Sequence, residues 1–517
     1  MSTVETVERA LCKIFAEVLE LDELGLDDGF FDVGGDSVLA VQVVSRACAA
    51  GLALSVRDIF DRQTVAGLAE VVTAATRPTL RPAPRPDRAP LSPAQRRLYF
   101  LNRLQGPSST YNIAGALRLS GELDRAALDD ALADVVARHE TLRTVFPDAE
   151  GEPWQRVLGT AAARPALSVV DCPTGDIATA LKAAAGHPFD LTAGDLPLRA
   201  TLFAVAPREH ALGVTVHHIA GDGWSIAPLM RDLGTAYTAR IAGQSPGWDP
   251  LPVQYIDYTL WQRDLFDGTD LLATQLAFWE KELAGAPDTL RLPTDRPRPG
   301  IPSFRGDNVL FPIPAKLHTR LADLAHTNGA TLFMVLHTAL AALLTRLGAG
   351  TDIPIGSPIA GRTDQALDDL VGFFVNTLVL RTDCAGTPSF RDLLGRVRDT
   401  TLGAYTHQDL PFERLVTELA PTRNLSRNPL VQVVFQLQNT EAAPPRFGDA
   451  RVSRFDDGFV NTRFDTEVHL QEVDGGLAGR WICAADIYDE ASIERFIASY
   501  IQLLEHISRA WSADPRF

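Results

Sequence analysis

Apolar residues recur at helical spacing through the first part of the chain. Seven of them would share one face of a first helix: Val4, Val7, Leu11, Ile14, Phe15, Val18 and Leu19. After a loop rich in Asp and Gly, periodic runs begin at Val38 and at Val56, and a last one covers residues 65–75. The pattern predicts a small all-α domain, a four-helix bundle over residues 1–76.

A different composition follows this helical region. Residues 77–88 contain four prolines and four arginines, which exclude a helix or a central strand. We therefore expect an extended, semi-rigid linker over residues 77–89, one that keeps the domains on either side movable.

The remainder of the chain mixes helical and strand periodicity in both of its halves. Helices are predicted over residues 124–139, 226–242, 271–283, 316–328, 332–347 and 493–511. Strands are predicted over residues 113–119, 167–170, 198–206, 211–217, 352–357, 377–381, 430–437 and 477–485. This distribution favours two α/β lobes, over residues 90–265 and 266–517.

Charge and cysteine content exclude several classes of protein. The net charge of −17 disfavours a nucleic-acid partner, because phosphate binding needs a basic face. No apolar run is long enough to span a membrane, and the first nine residues do not resemble a secretory signal. The five cysteines are odd in number and widely spaced, which argues against disulfides or a zinc site and favours a reducing cytoplasm.

Ser37 is the first candidate for chemistry. It ends the run Gly34-Gly35-Asp36-Ser37 at a predicted helix start, where a helix cap is the simplest interpretation. No histidine occurs in the first hundred residues, so Ser37 has no nearby base. It could instead accept a phosphodiester from another enzyme, because a helix N-terminus stabilises negative charge.

The second candidate is a pair of histidines, His217 and His218, at the end of a predicted strand. Adjacent strand residues point to opposite faces, so one histidine can face a cleft while the other packs inside. A structural histidine is one alternative. A metal site is another, although adjacent strand histidines share one ion poorly and no third ligand is near.

The string from Phe30 to Val38, in a short acidic helical domain, resembles the peptidyl carrier proteins. The resemblance implies that Ser37 carries 4′-phosphopantetheine, attached by a phosphopantetheinyl transferase, and that an upstream adenylation domain supplies the substrate. Residues 1–75 hold thirteen acidic against five basic residues, which suits docking onto basic partner patches. Asp36 stands where many carriers have His and hints at an epimerisation partner.

The run from His217 to Gly223 resembles the H-H-x-x-x-D-G motif of the condensation domains of nonribosomal peptide synthetases, which have two chloramphenicol acetyltransferase-like lobes around a tunnel. Further matches follow in order: Leu91 to Leu98, Arg138 to Phe146, Tyr255 to Gln262, Val371 to Thr377, His407 to Glu413, and Asn428 to Asn439. Two departures occur, because Asn424 replaces a usual Asp and Thr466 a usual Leu.

This second resemblance implies amide formation between a donor acyl or peptidyl thioester on Ser37 and an aminoacyl thioester on a downstream acceptor carrier, without metal. The motif assigns the reaction to His218, with His217 beside it, and leaves open whether His218 positions the amine, takes its proton or binds the intermediate. Gly223 is expected to offer its N–H, with close backbone approach or a positive φ.

Three further site assignments follow from the resemblance. Asp222 is expected to be structural and paired with Arg143. Ser357 and Asn376 are candidates for the tunnel wall. No adenylation domain or acceptor carrier is recognised here, so we expect the acceptor to be supplied in trans.

Rival interpretations remain within the same fold. Cyclisation would replace the first His of the motif by Asp, and epimerisation would need a glutamate base and a different run after Asp222-Gly223. A recruitment module that only docks other enzymes would tend to have a damaged His motif, whereas this one is intact.

Overall fold

The computed structural model describes residues 3–75, 77–172, 176–419, 426–438, 445–455, 458–473 and 475–513. Its first region is the expected helical bundle, with α1 (Thr3–Val18), α2 (Ser37–Ala49), α3 (Val56–Arg62) and α4 (Val65–Ala69). A core of Leu11, Phe15, Phe30, Val43 and Phe60 is fully buried between these helices. Apolar burial therefore holds the bundle together, as the periodicity predicts.

The last helix of this bundle is shorter than the sequence predicted. It ends at Ala69, and Thr73–Ala74 (β2) instead pairs antiparallel with Leu52–Ala53 (β1). The run Val71-Val72-Thr73 is β-branched, and such residues favour extended backbone over helix. A two-stranded ribbon thus replaces the final turns that we expected up to residue 75.

The linker is extended, as expected, and contacts the large domain along its length. Arg77 donates to Asp409 over 2.8 Å, and the Pro78 carbonyl accepts from Trp261 Nε1 over 2.7 Å. Arg85 bonds to Glu140 over 2.6 Å. The movement of the two domains across this linker stays a prediction.

The first lobe is built on a five-stranded sheet. Its elements are β3 (Ala89–Pro90), α5 (Pro93–Gln105), β4 (Asn112–Ser120), α6 (Arg125–Arg138), β5 (Thr144–Val145), β6 (Asp148–Ala149), β7 (Glu152–Val157), β8 (Leu167–Asp171), α7 (Ile177–Ala185), β9 (Leu198–Ala206), β10 (Glu209–His217), α8 (Ile226–Ile241) and α9 (Tyr255–Asp267). In the large sheet β10 lies between β4 and β9, antiparallel to both, and β8 joins β9 in parallel. Helices α6 and α8 pack together against it.

The second lobe contains a six-stranded sheet. Its elements are α10 (Leu271–Glu282), β11 (Gly306–Ile313), α11 (Ala315–Thr327), α12 (Leu332–Arg346), β12 (Asp352–Ile359), β13 (Asn376–Asp383), α13 (Phe390–Thr406), α14 (Phe412–Leu419), β14 (Val433–Gln438), β15 (Arg451–Phe455), β16 (Thr466–Val473), β17 (Gly476–Ala484) and α15 (Glu490–Ala513). The strand order is β11-β17-β16-β14-β12-β13. Helix α12 is buried along most of its length.

One strand crosses between the lobes. Although β15 follows the second-lobe strand β14 in the chain, it pairs antiparallel with β4 at the edge of the first-lobe sheet. The returning segment is fixed by Asn461, whose side chain donates to the Ser109 carbonyl over 2.8 Å. The chain therefore bridges the two lobes on this side.

Two boundaries of the second lobe differ from those predicted. Strand β14 begins at Val433 rather than at residue 430, because Leu430 has a left-handed φ of 65°. Helix α15 begins at Glu490, before the predicted residue 493. The departure at Asn424 and the motif residue Asn439 lie outside the described residues.

Within the described ranges no single helix is long and apolar enough to cross a membrane. The pair α11 and α12 meets that criterion on length and composition alone, with a bend of 103° between its two helices.

Candidate active site

The two motif histidines point to opposite sides of the end of β10, as predicted. His217 is buried; its Nδ1 accepts from the Ile219 N–H over 3.1 Å, and its ring lies 5.7 Å from that of Phe189. These contacts hold His217 inside the first lobe, where it supports the strand end.

His218 is the histidine that faces the region between the lobes. Its backbone N–H donates to the Tyr111 carbonyl over 2.8 Å, and its ring packs edge-on against Phe373 at 4.9 Å. Burial, reinforced by the positive charge of Arg463, lowers the pKa of His218 to about 3. The imidazole is therefore neutral near pH 7 and able to accept a hydrogen bond.

Asp222 organises the turn that follows the histidines. Its Oδ1 accepts from the backbone N–H and the hydroxyl of Ser225, which caps a 3₁₀ turn over Gly223–Ser225. Its Oδ2 accepts from the N–H groups of Phe374 and Val375 over 2.8 and 3.0 Å. One buried carboxylate thus joins the His motif to a segment that lies about 150 residues later.

The expected pair between Asp222 and Arg143 is not formed. Arg143 donates to the Leu158 carbonyl over 2.6 Å and lies 3.5 Å from Glu140. Asp222 instead lies 3.7 Å from Arg362, whose guanidinium also donates to the Ser225 hydroxyl over 3.1 Å. The prediction was wrong about the partner, because the Arg143 guanidinium contacts Leu158 and Glu140 instead.

Gly223 does not have the positive φ that the sequence suggested as one possibility. An added Cβ at this position would meet no atom within 4 Å, so the fold itself does not require glycine here. The space in front of Gly223 is open, and close approach to its backbone stays a prediction.

The two tunnel candidates have different surroundings. The Asn376 side chain donates to the carbonyls of Gln408 and Leu410, both over 2.9 Å, and its oxygen accepts from the Phe412 N–H. It therefore fixes the loop that carries the His407–Glu413 motif. Ser357 is buried in β12, where it pairs with Leu378 of β13.

A narrow cleft lies between the lobes and is lined by residues of several quoted motifs. Among its wall residues are Ser92, Tyr258, Trp261, Phe373 and Asn376. Phe373 also contacts His218, so this ring stands between the cleft and the histidine. Motifs that are far apart in sequence thus meet at one interlobe region.

Ser37 lies at the start of α2, where the sequence left a cap and an acceptor role open. The cap is Asp36, whose carboxylate accepts from the N–H groups of Val38 and Leu39 over 2.7 and 2.9 Å. The Ser37 hydroxyl is therefore not used for capping; the residue lies beside Tyr405 and is 4% exposed. A primary hydroxyl in the first turn of a 13-residue helix fits the attachment of a phosphodiester.

Across the described segments, no cluster of three or more His, Cys, Asp or Glu side chains is arranged to hold a metal ion.

Family models identify both parts of the chain. Residues 86–514 match the condensation domain, and residues 9–72 match the phosphopantetheine attachment site. This chain belongs to the condensation-domain family. It is a carrier domain, with a site for phosphopantetheine, followed by a condensation domain of the nonribosomal peptide synthetase type, a peptide-bond-forming class of enzyme.

Curated relatives match nearly the whole chain. The dimodular nonribosomal peptide synthase of Bacillus subtilis is 49% identical over 521 residues, which cover 98% of this chain and 22% of that protein. The isonitrile lipopeptide synthase of Mycobacterium tuberculosis is 42% identical over 533 residues, covering 99% of this chain and 21% of that protein. The chain thus spans less than a quarter of the length of these larger relatives.

Solved structures agree with the fold of the condensation domain. The X-domain in its complex with OxyB from teicoplanin biosynthesis is 36% identical with a TM-score of 0.79, covering 86% of this chain and 97% of that one. The first condensation domain of the CDA synthetase has a TM-score of 0.64 at 20% identity, covering 81% and 96% of the two chains. The predicted fold, a helical carrier bundle before a two-lobed α/β condensation domain, is confirmed.

Four residues around the His motif were missed by the sequence reasoning: Tyr111, Arg362, Phe373 and Arg463. Phe373 occupies a variable position inside the Val371–Thr377 motif. Its place in that motif could have indicated that it lies near the site. Arg463 lies three residues before Thr466, one of the two departures from the family pattern. Tyr111 contributes a backbone carbonyl, for which side-chain patterns carry no information.

Proposed function

We propose that the condensation domain of this chain transfers an acyl or peptidyl group from the arm on Ser37 to the amine of an aminoacyl thioester on a downstream acceptor carrier. Residues 1–76 would present the donor, residues 77–89 connect it, and residues 90–265 and 266–517 form the lobes. The identity to segments of larger peptide synthases over nearly the whole chain supports this assignment.

When bound, phosphopantetheine supplies a thiol that holds the donor acyl group as a thioester. A bond forms between the acceptor nitrogen and the acyl carbon, the carbon–sulfur bond breaks, and the nitrogen loses one proton while the departing sulfur gains one. An α-amino group has a pKa of roughly 8, so a useful fraction is neutral near pH 7. The protein therefore needs to orient the amine and accept its proton as the bond forms.

His218 is the residue that we assign to this task. The observation that carries the assignment is its position at the end of β10, with its ring against Phe373 of the interlobe cleft. Its lowered pKa keeps the imidazole neutral there. It can accept a hydrogen bond from the amine, which orients the nitrogen, and it can take the proton only as the carbon–nitrogen bond forms and makes that nitrogen acidic. His217, Asp222 and Arg362 support it by fixing the strand end and the turn. The Gly223 N–H and the residues Ser357 and Asn376 remain candidates along the substrate path.

The partners follow from the same assignment. An upstream adenylation domain would load the donor carrier, a phosphopantetheinyl transferase would modify Ser37, and an acceptor carrier would bring the aminoacyl thioester. The acidic surface of the carrier domain suits basic patches on such partners.

The test is a single-turnover condensation assay. The full chain is loaded at Ser37 with a peptidyl-phosphopantetheine arm, an aminoacyl acceptor thioester is added, and the extended peptide is measured by mass spectrometry. His218→Ala is expected to lower the rate about 10²-fold or more. The matched control is His318→Ala, because that α11 histidine contacts the Gly475 carbonyl rather than the His motif. Equal rates for His218→Ala and wild type would refute the assignment.

A second candidate function is recruitment of another protein to the condensation fold. The observation in its favour is the similarity to the X-domain, whose structure is a complex with OxyB. A loaded chain that forms no amide with any of several acceptors, yet binds a tailoring enzyme, would support this alternative.

A further inference from the structure

The carrier domain lies on the second lobe in a way that covers its own modification site. We propose that the surface formed by α13 and the end of α11, named here the resting dock, holds the unmodified carrier with Ser37 covered, so that the carrier must leave before phosphopantetheine is attached. This inference rests on the proposed role of Ser37.

The contact at the serine itself is between two hydroxyl-bearing side chains. Ser37 lies beside Tyr405, near the C-terminal end of α13, and both side chains are buried. Burial raises the pKa of Tyr405 to about 12, so its hydroxyl keeps its proton at neutral pH. A transferase has to bring the phosphate of its donor substrate to the Ser37 oxygen, and in this arrangement the second lobe occupies that space.

Two polar contacts join the carrier to the same surface. Arg398 on α13 donates to Asp61 of the carrier over 3.1 Å, while its Nε is fixed by the Gly329 carbonyl over 2.9 Å. His326 at the end of α11 lies 3.4 Å from Asp32 of the carrier. The dock thus presents basic side chains to an acidic domain, the complementarity that orients weak protein contacts.

Apolar packing joins the same two surfaces. Helix α3 of the carrier contacts α13, and the Arg398 guanidinium lies 5.8 Å from the centre of the Phe60 ring. Buried apolar residues of the carrier and of the second lobe form one continuous cluster. The ion pairs are partly solvated and contribute little each, so we expect the dock to be reversible.

The consequence is kinetic. If only the undocked carrier can be modified, the rate of modification is proportional to the undocked fraction, and any change that weakens the dock raises that rate. Ser37 is thereby protected from modification without any change to the carrier's own sequence or fold.

The test measures attachment of phosphopantetheine to the full chain from coenzyme A by a phosphopantetheinyl transferase, followed by intact-protein mass. Arg398→Glu leaves the carrier sequence untouched and places like charges opposite Asp61. We expect it to accelerate modification about fivefold or more. Tyr405→Phe, which removes the tyrosine hydroxyl beside Ser37, should accelerate it less. Lys316→Glu, an exposed α11 residue with the same charge change, is the matched control and should not alter the rate.

A charge swap makes the test specific for the dock. Asp61→Arg combined with Arg398→Glu should be modified more slowly than Asp61→Arg alone, because the swap restores opposite charges. Thermal unfolding of each variant verifies folding, and hydrogen exchange in the first turn of α2 should rise in Arg398→Glu. Equal modification rates for wild type, Arg398→Glu and Tyr405→Phe, all folded, would overturn the dock. Modification that persists in Ser37→Ala would instead refute the proposed role of Ser37.

Discussion

Two helix starts in this molecule have almost the same backbone and different surroundings. Asp36 caps α2 of the carrier with φ −135° and ψ −174°, and Asp222 caps the turn after the histidines with φ −132° and ψ −177°. Both carboxylates accept N–H groups of the following turn. The local sequence therefore builds the same cap at both candidate sites.

The difference lies in what each cap reaches beyond its own turn. Asp36 is half-buried near the surface of a small bundle. Asp222 is fully buried and also binds two backbone N–H groups of a distant segment and lies beside Arg362. The cap bonds of Asp36 stabilise the first turn of α2, whereas those of Asp222 also hold separate parts of the chain in register. Five predictions test this contrast, from the largest expected effect to the smallest.

Asp222→Ala is expected to cost about 3–5 kcal/mol of folding free energy, because it leaves Arg362 buried without its nearest carboxylate and four polar groups without their acceptor. Denaturant unfolding of the condensation domain measures this loss. A loss below about 1 kcal/mol would remove the distinction between the two caps.

Gly35→Ala is expected to destabilise the carrier by about 1–3 kcal/mol. An added Cβ would lie 2.5 Å from the Phe30 ring and from the Phe30 carbonyl oxygen, so the loop before Asp36 would have to shift. Unfolding followed in the carrier helices measures the effect. Unchanged stability would show that the loop before α2 adapts freely.

The pH dependence of the condensation rate tests whether His218 stays neutral during the reaction. The folded-state pKa of His218 is lowered to about 3, so His218 stays neutral from pH 8 to pH 5.5 and only the acceptor amine gains protons. We expect the single-turnover rate to fall about tenfold per pH unit below the amine pKa of roughly 8. The measurement is the rate at each pH with folding verified. A slope that doubles below pH 6.5 would show that His218 titrates near its usual value.

Asp36→Ala is expected to cost about 1 kcal/mol, the usual loss on removing a helix cap. The loss should be confined to the carrier domain, as measured by hydrogen exchange in α2. A global loss comparable with that of Asp222→Ala would show that Asp36 also links distant segments.

Gly223→Ala should change folding stability by less than about 0.5 kcal/mol, because a Cβ there meets no neighbouring atom. The added methyl group would project into open space beside the His motif, so we expect the condensation rate to fall about tenfold or more. Modification of Ser37 in the same variant is the control and should be unaffected. An unchanged condensation rate would exclude close substrate approach at Gly223.

The sequence predicted the local parts of the site well. Strand β10, the turn after it and helix α8 follow from one apolar run and one motif, and the opposite orientation of His217 and His218 follows from strand geometry. The partner of Asp222 was not predictable in this way, because Arg362 lies 140 positions away and side-chain spacing carries no information at that range. Helices α5, α9 and α13 were missed, since their polar faces weaken the periodic pattern.

Thr466 shows how a departure from the family pattern is accommodated. The Trp481 indole N–H, fully buried in the second lobe, donates to the Thr466 hydroxyl, and that hydroxyl donates to the Ile482 carbonyl over 2.9 Å. A leucine at this position would leave the indole without this acceptor. The threonine is therefore matched to a tryptophan on the neighbouring strand. This pairing depends on the register of β16 and β17, which the sequence alone does not reveal.

Strand β15 links the two lobes covalently on one side, because the chain leaves the second lobe, pairs with β4 and then returns. Because the chain crosses on that side, the polypeptide closes this edge of the interlobe region. Under the proposed function, the donor and acceptor groups would enter along the axis between the lobes rather than through this edge. The reach of a tether from each end, more than the strength of any single contact, would then decide which reactive groups meet at His218.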